Sequence, residues 1–356
     1  MSGKTIGIDF GEWKTCVCSF SGKEYNLFSD GNNNDSKNFF QPIVNYENGT
    51  GNILVSSQAI NCQNSHHVSK RQCHDGQHTI GRSELETDVQ YFLKGILNRC
   101  EGKLQVTITY PIEFTREEVE RLRGIVKSVG SNTDTAHEEQ YSALSVKFNI
   151  DTFHLIPDPV AAVFCYIADK KLSWKSSTGE YIVVDIGYTS TRVSRVEYRD
   201  FSAKVLSTEY VLGLSGEEIS NQLLPMIKED DKRAIDRINY TNRLRQAVEM
   251  IGWGSQSLDD IFSYSYEDEN HECRELSWKL KDLDDSYLKP FITDHCFPAV
   301  DRLLNHERLM VLLVGGGSLL PSVRRHFNGK YLGLVYAKEY NPIASLAFGA
   351  CKYRTY

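Results

Sequence analysis

The feature that most limits what this chain can fold into is one short pattern written twice: an apolar strand that ends in an aspartate, one more apolar residue and a glycine. T-I-G-I-D-F-G runs from Thr5 to Gly11, and Y-I-V-V-D-I-G from Tyr181 to Gly187. Each is followed by a polar turn and a second strand-like run, T-C-V-C-S-F in the first and T-R-V-S-R-V-E in the second. Self-similarity half a chain apart predicts two related lobes, each offering a hairpin with one carboxylate, Asp9 or Asp185. The competing reading is chance, because an apolar run closed by Asp-x-Gly is a common strand ending. A hairpin of this outline grips phosphate only where glycines bare the turn, so that several backbone N–H groups close on the oxygens. Here Tyr188 and Thr189 fill the second turn.

Around these hairpins helical and strand patterns alternate, which predicts an α/β protein. L-Q-V-T-I-T-Y reads as a buried strand stopped by Pro111. In the next segment Thr115 and Glu118 form a capping box, Val119, Leu122, Ile125, Val126 and Val129 an apolar helix face, and Gly130 the stop. Asp158 is predicted to cap a second helix, with Pro159 in its first turn. Residues 217–230 and 240–252 read as helices, and L-M-V-L-L-V as a continuous apolar strand. A glycine turn follows it, then a helix opened by Pro321, and 341–353 closes as a small-residue helix. The Asn/Gly-rich stretch 31–52 and the polar stretch 131–140 read as loops.

Composition removes several classes of function. At 356 residues the chain has room for two sizeable cores, and 40% hydrophobic with 24% charged residues is ordinary for a globular protein. A net charge of −7 argues against a partner read as nucleic acid, although the arginines of T-R-E-E-V-E-R-L-R-G and S-V-R-R-H-F are either solvated helix faces or local phosphate contacts. No apolar run reaches the roughly 18 residues of a membrane span, and the N-terminus enters a strand with no signal-peptide pattern. Nine cysteines without C-x-x-C spacing suit reduced thiols in a cytosolic or nuclear compartment, and the cytoplasm is the expectation.

In order along the chain stand I-G-I-D-F-G, T-I-T-Y-P-I-E-F-T, I-P-D-P-V-A-A-V, V-V-D-I-G, L-G-L-S-G-E-E, L-L-V-G-G-G-S-L-L-P and N-P-I-A-S-L-A-F-G-A. Together they resemble the nucleotide-binding domain of the heat shock protein 70 (DnaK) family, over nearly the whole chain. Actin-like proteins are the nearest competitor, and the second and third motifs favour the chaperone. The resemblance implies an α/β, two-lobed actin-like ATPase fold with duplicated mixed sheets flanked by helices. Lobe I would take 1–180 with the terminal helix 341–356, and lobe II 181–340. It implies cofactor-binding positions at Asp9, Gly11, Lys14, Asp185, Gly187, Gly216, Glu249, Gly315 and Gly316. Magnesium, if it comes with a nucleotide, would meet Asp9, Asp158 and Asp185.

The departures from the family pattern fall where its chemistry lies. The family's Gly-Thr-Thr turn is here Gly11-Glu12-Trp13, which sets a carboxylate and an indole where hydroxyls meet phosphate. The triple-glycine turn becomes Gly187-Tyr188-Thr189, and the acid after it becomes Arg192. The catalytic lysine precedes Ile-Gly-Arg, here Ile80-Gly81-Arg82, and its place falls on Gln77; Lys70 serves only across an insertion. The glutamate of the first connecting helix is Asp158. Around adenosine the basic pair falls on Gly252 and Trp253, the arginine after the glycine turn on Leu319, and the last aspartate on Ile343.

The resemblance therefore implies a divergent cochaperone whose ATP site is degenerate and which acts by protein–protein contact. It looks most like the atypical member of the ribosome-associated complex, whose partners are a J-domain protein, the ribosome and a second, active heat shock protein 70. No cofactor is required on this reading, and ATP or ADP binding without hydrolysis stays open. The chain stops at C-K-Y-R-T-Y, where the family continues into a peptide-binding domain, so the expectation is no client-binding module. The alternatives are an active ATP-hydrolysing chaperone domain, a nucleotide-exchange factor, or an actin-like or sugar-kinase enzyme. Lys14 and Arg192 either meet phosphate or pair with the acids. Trp253 stacks an adenine or plugs its pocket, and 315–318 receives adenosine or is a tight turn. Cys62, His66, His67, Cys73, His74 and His78 form a zinc-type cluster or a polar loop.

Overall fold

The structure is a computed structural model of the chain, and it describes residues 3–11, 14–21, 24–28, 30, 39–46, 53–59, 66–68, 82–130, 147–170, 177–223, 257–267, 272–331, 334–335 and 342–353. The chain divides into two units, Met1–Lys171 with Ala344–Tyr356, and Leu172–Ile343.

In the first unit β1 (Lys4–Phe10), β2 (Thr15–Phe20) and β3 (Tyr25–Leu27) make an antiparallel meander. A small sheet of β4 (Ile43–Tyr46), β5 (Ile53–Val55) and β6 (His66–His67) follows. Next come α1 (Arg82–Leu97), β7 (Gly102–Tyr110), α2 (Arg116–Gly130), β8 (Phe148–Pro157) and α3 (Asp158–Asp169). Strands β7 and β8 run parallel to β1, giving the order β3-β2-β1-β7-β8. Such parallel strands need crossovers, and α2 supplies the one between β7 and β8. The central strand β1 is buried on both faces, as its run of apolar residues requires. Ile6, Ile8 and Phe10 pack with Phe92, Leu93 and Ile96 of α1 and with Leu122 and Val126 of α2. Each such side chain contributes about 1.5–3 kcal/mol on burial.

The second unit repeats this plan. Strands β9 (Gly179–Ile186), β10 (Thr191–Arg199) and β11 (Ser202–Val211) form the meander, and α4 (Gly216–Leu223) follows. Then come the hairpin β12 (Ile261–Glu267) and β13 (Cys273–Lys279), and a long helical run, α5, over 280–304. Strand β14 (Met310–Val314), helix α6 (Pro321–Lys330) and β15 (Leu334–Val335) complete a sheet of order β11-β10-β9-β14-β15. Third, second, first, fourth, fifth is the order in both sheets. The written repeat is thus a repeat of topology, which chance similarity does not produce.

The last helix, α7 (Ser345–Lys352), belongs to the first unit and fits there because it is built from small residues. A Cβ added to Gly7 would strike the carbonyl of Ala347, and one added to Gly349 would strike that of Ala161. The helix therefore lies directly on β1 and α3 at two glycine contacts.

Several local expectations need correction. Helix α3 starts at Asp158 itself, with Pro157 as its N-cap, so Asp158 stands in the first turn and not at the cap position. Strand β4 lies inside the stretch read as loop, because Ile43 and Val44 pair with β6 on one side while β5 pairs on the other. The sequence patterns mark no element over 257–304. There Pro290 and Pro298 punctuate α5, and the helix accepts each by a wide turn just before it. The N–H of Lys289 reaches back to Asp284 and that of Phe297 to Ile292, five residues instead of four. This relieves the clash between a proline ring and the carbonyl four residues back. The capping box of α2 is present in both directions: Thr115 N–H donates to Glu118 at 2.6 Å, and Glu118 N–H to Thr115 Oγ1 at 3.3 Å. Among the described residues no helix is long and apolar enough to cross a membrane.

Candidate functional site

The two hairpins place their carboxylates alike. Asp9 is the penultimate residue of β1 and faces Cys16 across the ladder; Asp185 is the penultimate residue of β9 and faces Arg192. Each turn closes with the same bond, Gly11 N–H to the Lys14 carbonyl and Gly187 N–H to the Ser190 carbonyl, both at 3.0 Å. The repeat therefore extends to single hydrogen bonds.

The surroundings of the two acids differ. Asp9 accepts a hydrogen bond from Thr109 Oγ1 at 3.2 Å, at the end of the neighbouring strand β7. Lys14 is buried with its ammonium 4.1 Å from the centre of the Phe39 ring, a cation held by a π face. Asp158 is buried at the first turn of α3, where the helix dipole favours its charge. Tyr110 feels that charge: burial pushes its hydroxyl up first, Asp158 adds to it, and Arg123 opposes.

In the second unit Asp185 is buried and stands 3.8 Å from Arg192 Nη1, each side chain about a tenth exposed. At that distance the attraction is roughly 4 kcal/mol at an effective dielectric of 20, before desolvation is subtracted. The turn above the pair is held by the segment leading into α4. The N–H groups of Gly216 and Glu217, the first of the helix, donate to the carbonyls of Gly187 at 3.0 Å and Tyr188 at 2.7 Å. Ser215 caps α4 through the Glu218 N–H at 3.1 Å. Thr191 Oγ1 donates to the Leu214 carbonyl and Tyr287 to that of Gly213. The ring of Tyr188 covers Gly216, with a carbon 3.1 Å from where a Cβ would stand.

The glycine turn after β14 closes on the same acid. Gly315 has φ +83, and a Cβ there would meet Asp185 Oδ1 at 2.5 Å and strike the Ile186 carbonyl. Gly317 lies against the Ile186 side chain, whereas Gly316 is exposed, with Ile343 its nearest neighbour at 3.9 Å. Ser318 Oγ donates to the Gly315 carbonyl at 2.6 Å, and Arg324 Nε to the Ser318 carbonyl at 2.8 Å. Sequence reasoning missed Thr109, Ser215, Thr191 and Arg324. Thr109 and Thr191 act across a distance in sequence and Arg324 from an ordinary helix position, whereas Ser215 stands in a local Ser-x-x-Glu signal, with Glu218, that marks a helix start.

Glu12, Trp13, Lys70, Gln77, Ile80, Gly81, Glu249, Gly252 and Trp253 lie outside the described residues, as do Cys62, Cys73, His74 and His78. His66 and His67 are described as backbone of β6, so the stretch read as a polar loop contains a strand. Within neither unit do three His, Cys, Asp or Glu among the described residues form a group that could hold a metal ion.

No protein-family model matches the chain. Individual proteins do. It is 22% identical, over 97% of its length, to a heat shock 70 kDa protein of Neurospora crassa. The same identity over 97% relates it to heat shock cognate 70 kDa protein 3 of Dictyostelium discoideum, and over 90% to chaperone protein DnaK of Prochlorococcus marinus. The chain spans 57%, 59% and 54% of those three proteins, little more than half of each. These matches relate the chain to the heat shock 70 kDa and DnaK proteins, and its mixed α/β sheets flanked by helices carry the actin-like ATPase fold of that family.

Proposed function

We propose that this chain is a heat shock 70-type cochaperone that acts by contact with other proteins and does not turn over ATP. The observation that carries the reading is the closed second turn. Helix N-terminal N–H groups are the natural donors to a phosphate, and those of Gly216 and Glu217 are engaged by the carbonyls of the hairpin itself. Tyr188 covers the glycine that opens the helix. Arg192 already meets the charge of Asp185, so a magnesium ion would have to displace a guanidinium to reach that carboxylate. These residues do not fit a bound magnesium-nucleotide, and no catalytic step is routed through one. Phosphoryl transfer rests on positioned donors and charges, so a site that lacks them loses turnover before it loses its fold.

On this reading Asp185, Arg192 and the 213–217 segment hold the second hairpin shut, and the sheet serves as scaffold. The partner is a J-domain protein, at the ribosome in the cytoplasm, with a separate active chaperone handling the nascent chain. Titration calorimetry with magnesium-ATP tests the site. The expected result is no binding tighter than about 1 mM. Micromolar affinity, or steady-state phosphate release above the buffer rate, overturns the reading. Purification from native lysate tests the partner: a J-domain protein and ribosomal subunits should co-elute, and elution with neither removes that part of the proposal.

A further inference from the structure

We propose that Cys18 and Cys351 form a thiol–disulfide site which, when oxidised, staples the last helix of the first unit to its second strand. Cys18 stands in β2 directly opposite Gly7 of β1. Side chains opposite each other in an antiparallel pair share one face of the sheet, with Cβ atoms about 4.5–5.5 Å apart. Gly7 has no Cβ, and α7 occupies the space. An atom built there would stand 2.8 Å from Cys351 Cβ. Cys351 thus takes the place of the missing neighbour of Cys18, which brings the pair toward the roughly 3.5–4.5 Å Cβ separation of a disulfide.

The two thiols already sense each other. The Cys18 thiol is pushed well above the ordinary cysteine range, first by a hydrogen bond with Cys351, then by burial and by the charge of Cys351, with Lys352 opposing. Cys351 Sγ also reaches the Thr5 carbonyl at 3.4 Å, so it lies over β1 and not toward solvent. Both side chains are fully buried, which keeps the reduced pair inert while α7 is in place. Cys351 stands in the final turn of α7, and helix ends open at the lowest free energy of any part of a helix. In the closed state that turn is anchored by Lys352, whose ammonium lies 3.9 Å from the ring centre of Tyr25, 5.3 Å from Phe20 and 5.9 Å from Phe348.

A small-molecule disulfide such as oxidised glutathione supplies the oxidising equivalents. With the last turn open, Cys351 gives its proton to solvent and its thiolate attacks one glutathione sulfur, releasing the other glutathione as thiolate. Cys18, deprotonated in turn, attacks the Cys351 sulfur of the mixed disulfide and releases the second glutathione. One protein disulfide forms, one glutathione disulfide is consumed, and the two protons end on the two glutathione thiolates.

The full chain is incubated with oxidised glutathione, denatured, alkylated and analysed by peptide mass spectrometry. The expected result is two fewer alkylated cysteines than the nine of the reduced chain, and a linked peptide joining Cys18 to Cys351 that disappears with dithiothreitol. The thermal midpoint of the first unit should rise by about 5 °C or more on oxidation and return on reduction. Cys351→Ser should lose both effects, and Cys16→Ser should keep them. A Cys18 that stays alkylatable, or that links to Cys16 or Cys165 instead, overturns the proposal. The mass readout on the unsubstituted chain decides the matter even if Cys351→Ser fails to fold.

Discussion

Replacing Gly315 by alanine measures how tightly the glycine turn is closed on Asp185. The position has φ +83 and ψ 164, an extended region essentially confined to glycine, where an L side chain costs about 1–3 kcal/mol for conformation alone. The new methyl would also stand 2.5 Å from Asp185 Oδ1 and strike the Ile186 carbonyl, a backbone atom in β9 that cannot swing aside as a flexible side chain does. Forcing a methyl into a filled space costs about 1–3 kcal/mol more. Gly315→Ala should therefore destabilise the second unit by about 2–6 kcal/mol in total. In urea that lowers its midpoint by about 1 M or more. Hydrogen exchange should speed at 182–186 and 311–314, the strands that meet at the turn, and leave β1 unchanged. Gly316→Ala is the control, since its nearest neighbour stands 3.9 Å away, and it should change little. Equal effects at the two glycines would refute the reasoning, because they would mean that Gly315 is not pressed against Asp185.

Two further outcomes follow from buried groups. Arg192→Met leaves Asp185 buried beside an apolar chain and should cost about 3–5 kcal/mol, while the double variant with Asp185→Asn recovers part of it; strict additivity in urea unfolding would show that the pair is not coupled. Burial pushes the thiols of Cys100 and Cys296 up to about 12 from 9.0. Because the folded chain holds these protons more tightly, their contribution is fully present below pH 9 and is lost as pH rises through 9 to 12. Each substitution to alanine should flatten the alkaline fall in stability by about 1.4 kcal/mol per pH unit, and an unchanged slope contradicts the assigned burial.

The elements that sequence made legible are those whose signals are local. The hairpins announce themselves by an apolar strand and a glycine that must lack a Cβ for the turn to close. The capping box of α2 rests on Thr115 and Glu118, three residues apart. What could not be read depends on partners remote in the chain. Nothing near Gly216 says that its N–H will meet the carbonyl of Gly187, and nothing near Thr109 says that it will support Asp9. Helix α5 stayed hidden because Pro290 and Pro298 are ordinarily helix breakers, and only the wide turns before them keep the run continuous. Asp158 opens α3 and does not cap it because Pro157, one residue before, adopts the extended conformation that a cap requires. In the sequence Tyr188 is only bulk in a turn that would have to be bare to cradle phosphate. That the same ring covers Gly216 and lids the start of α4 is a tertiary fact.

The glycine seat of α7 against β1 bears on the order in which the protein assembles. Because β1 precedes the second unit in the chain and α7, at residues 345–352, follows it, the first unit lacks one wall until synthesis has passed through the whole of the second. The second unit, continuous in the chain, is free to close while translation is still under way. An emerging chain therefore carries a folded second unit preceded by an open sheet, and β1 stays a target for holding factors until the ribosome delivers the closing helix.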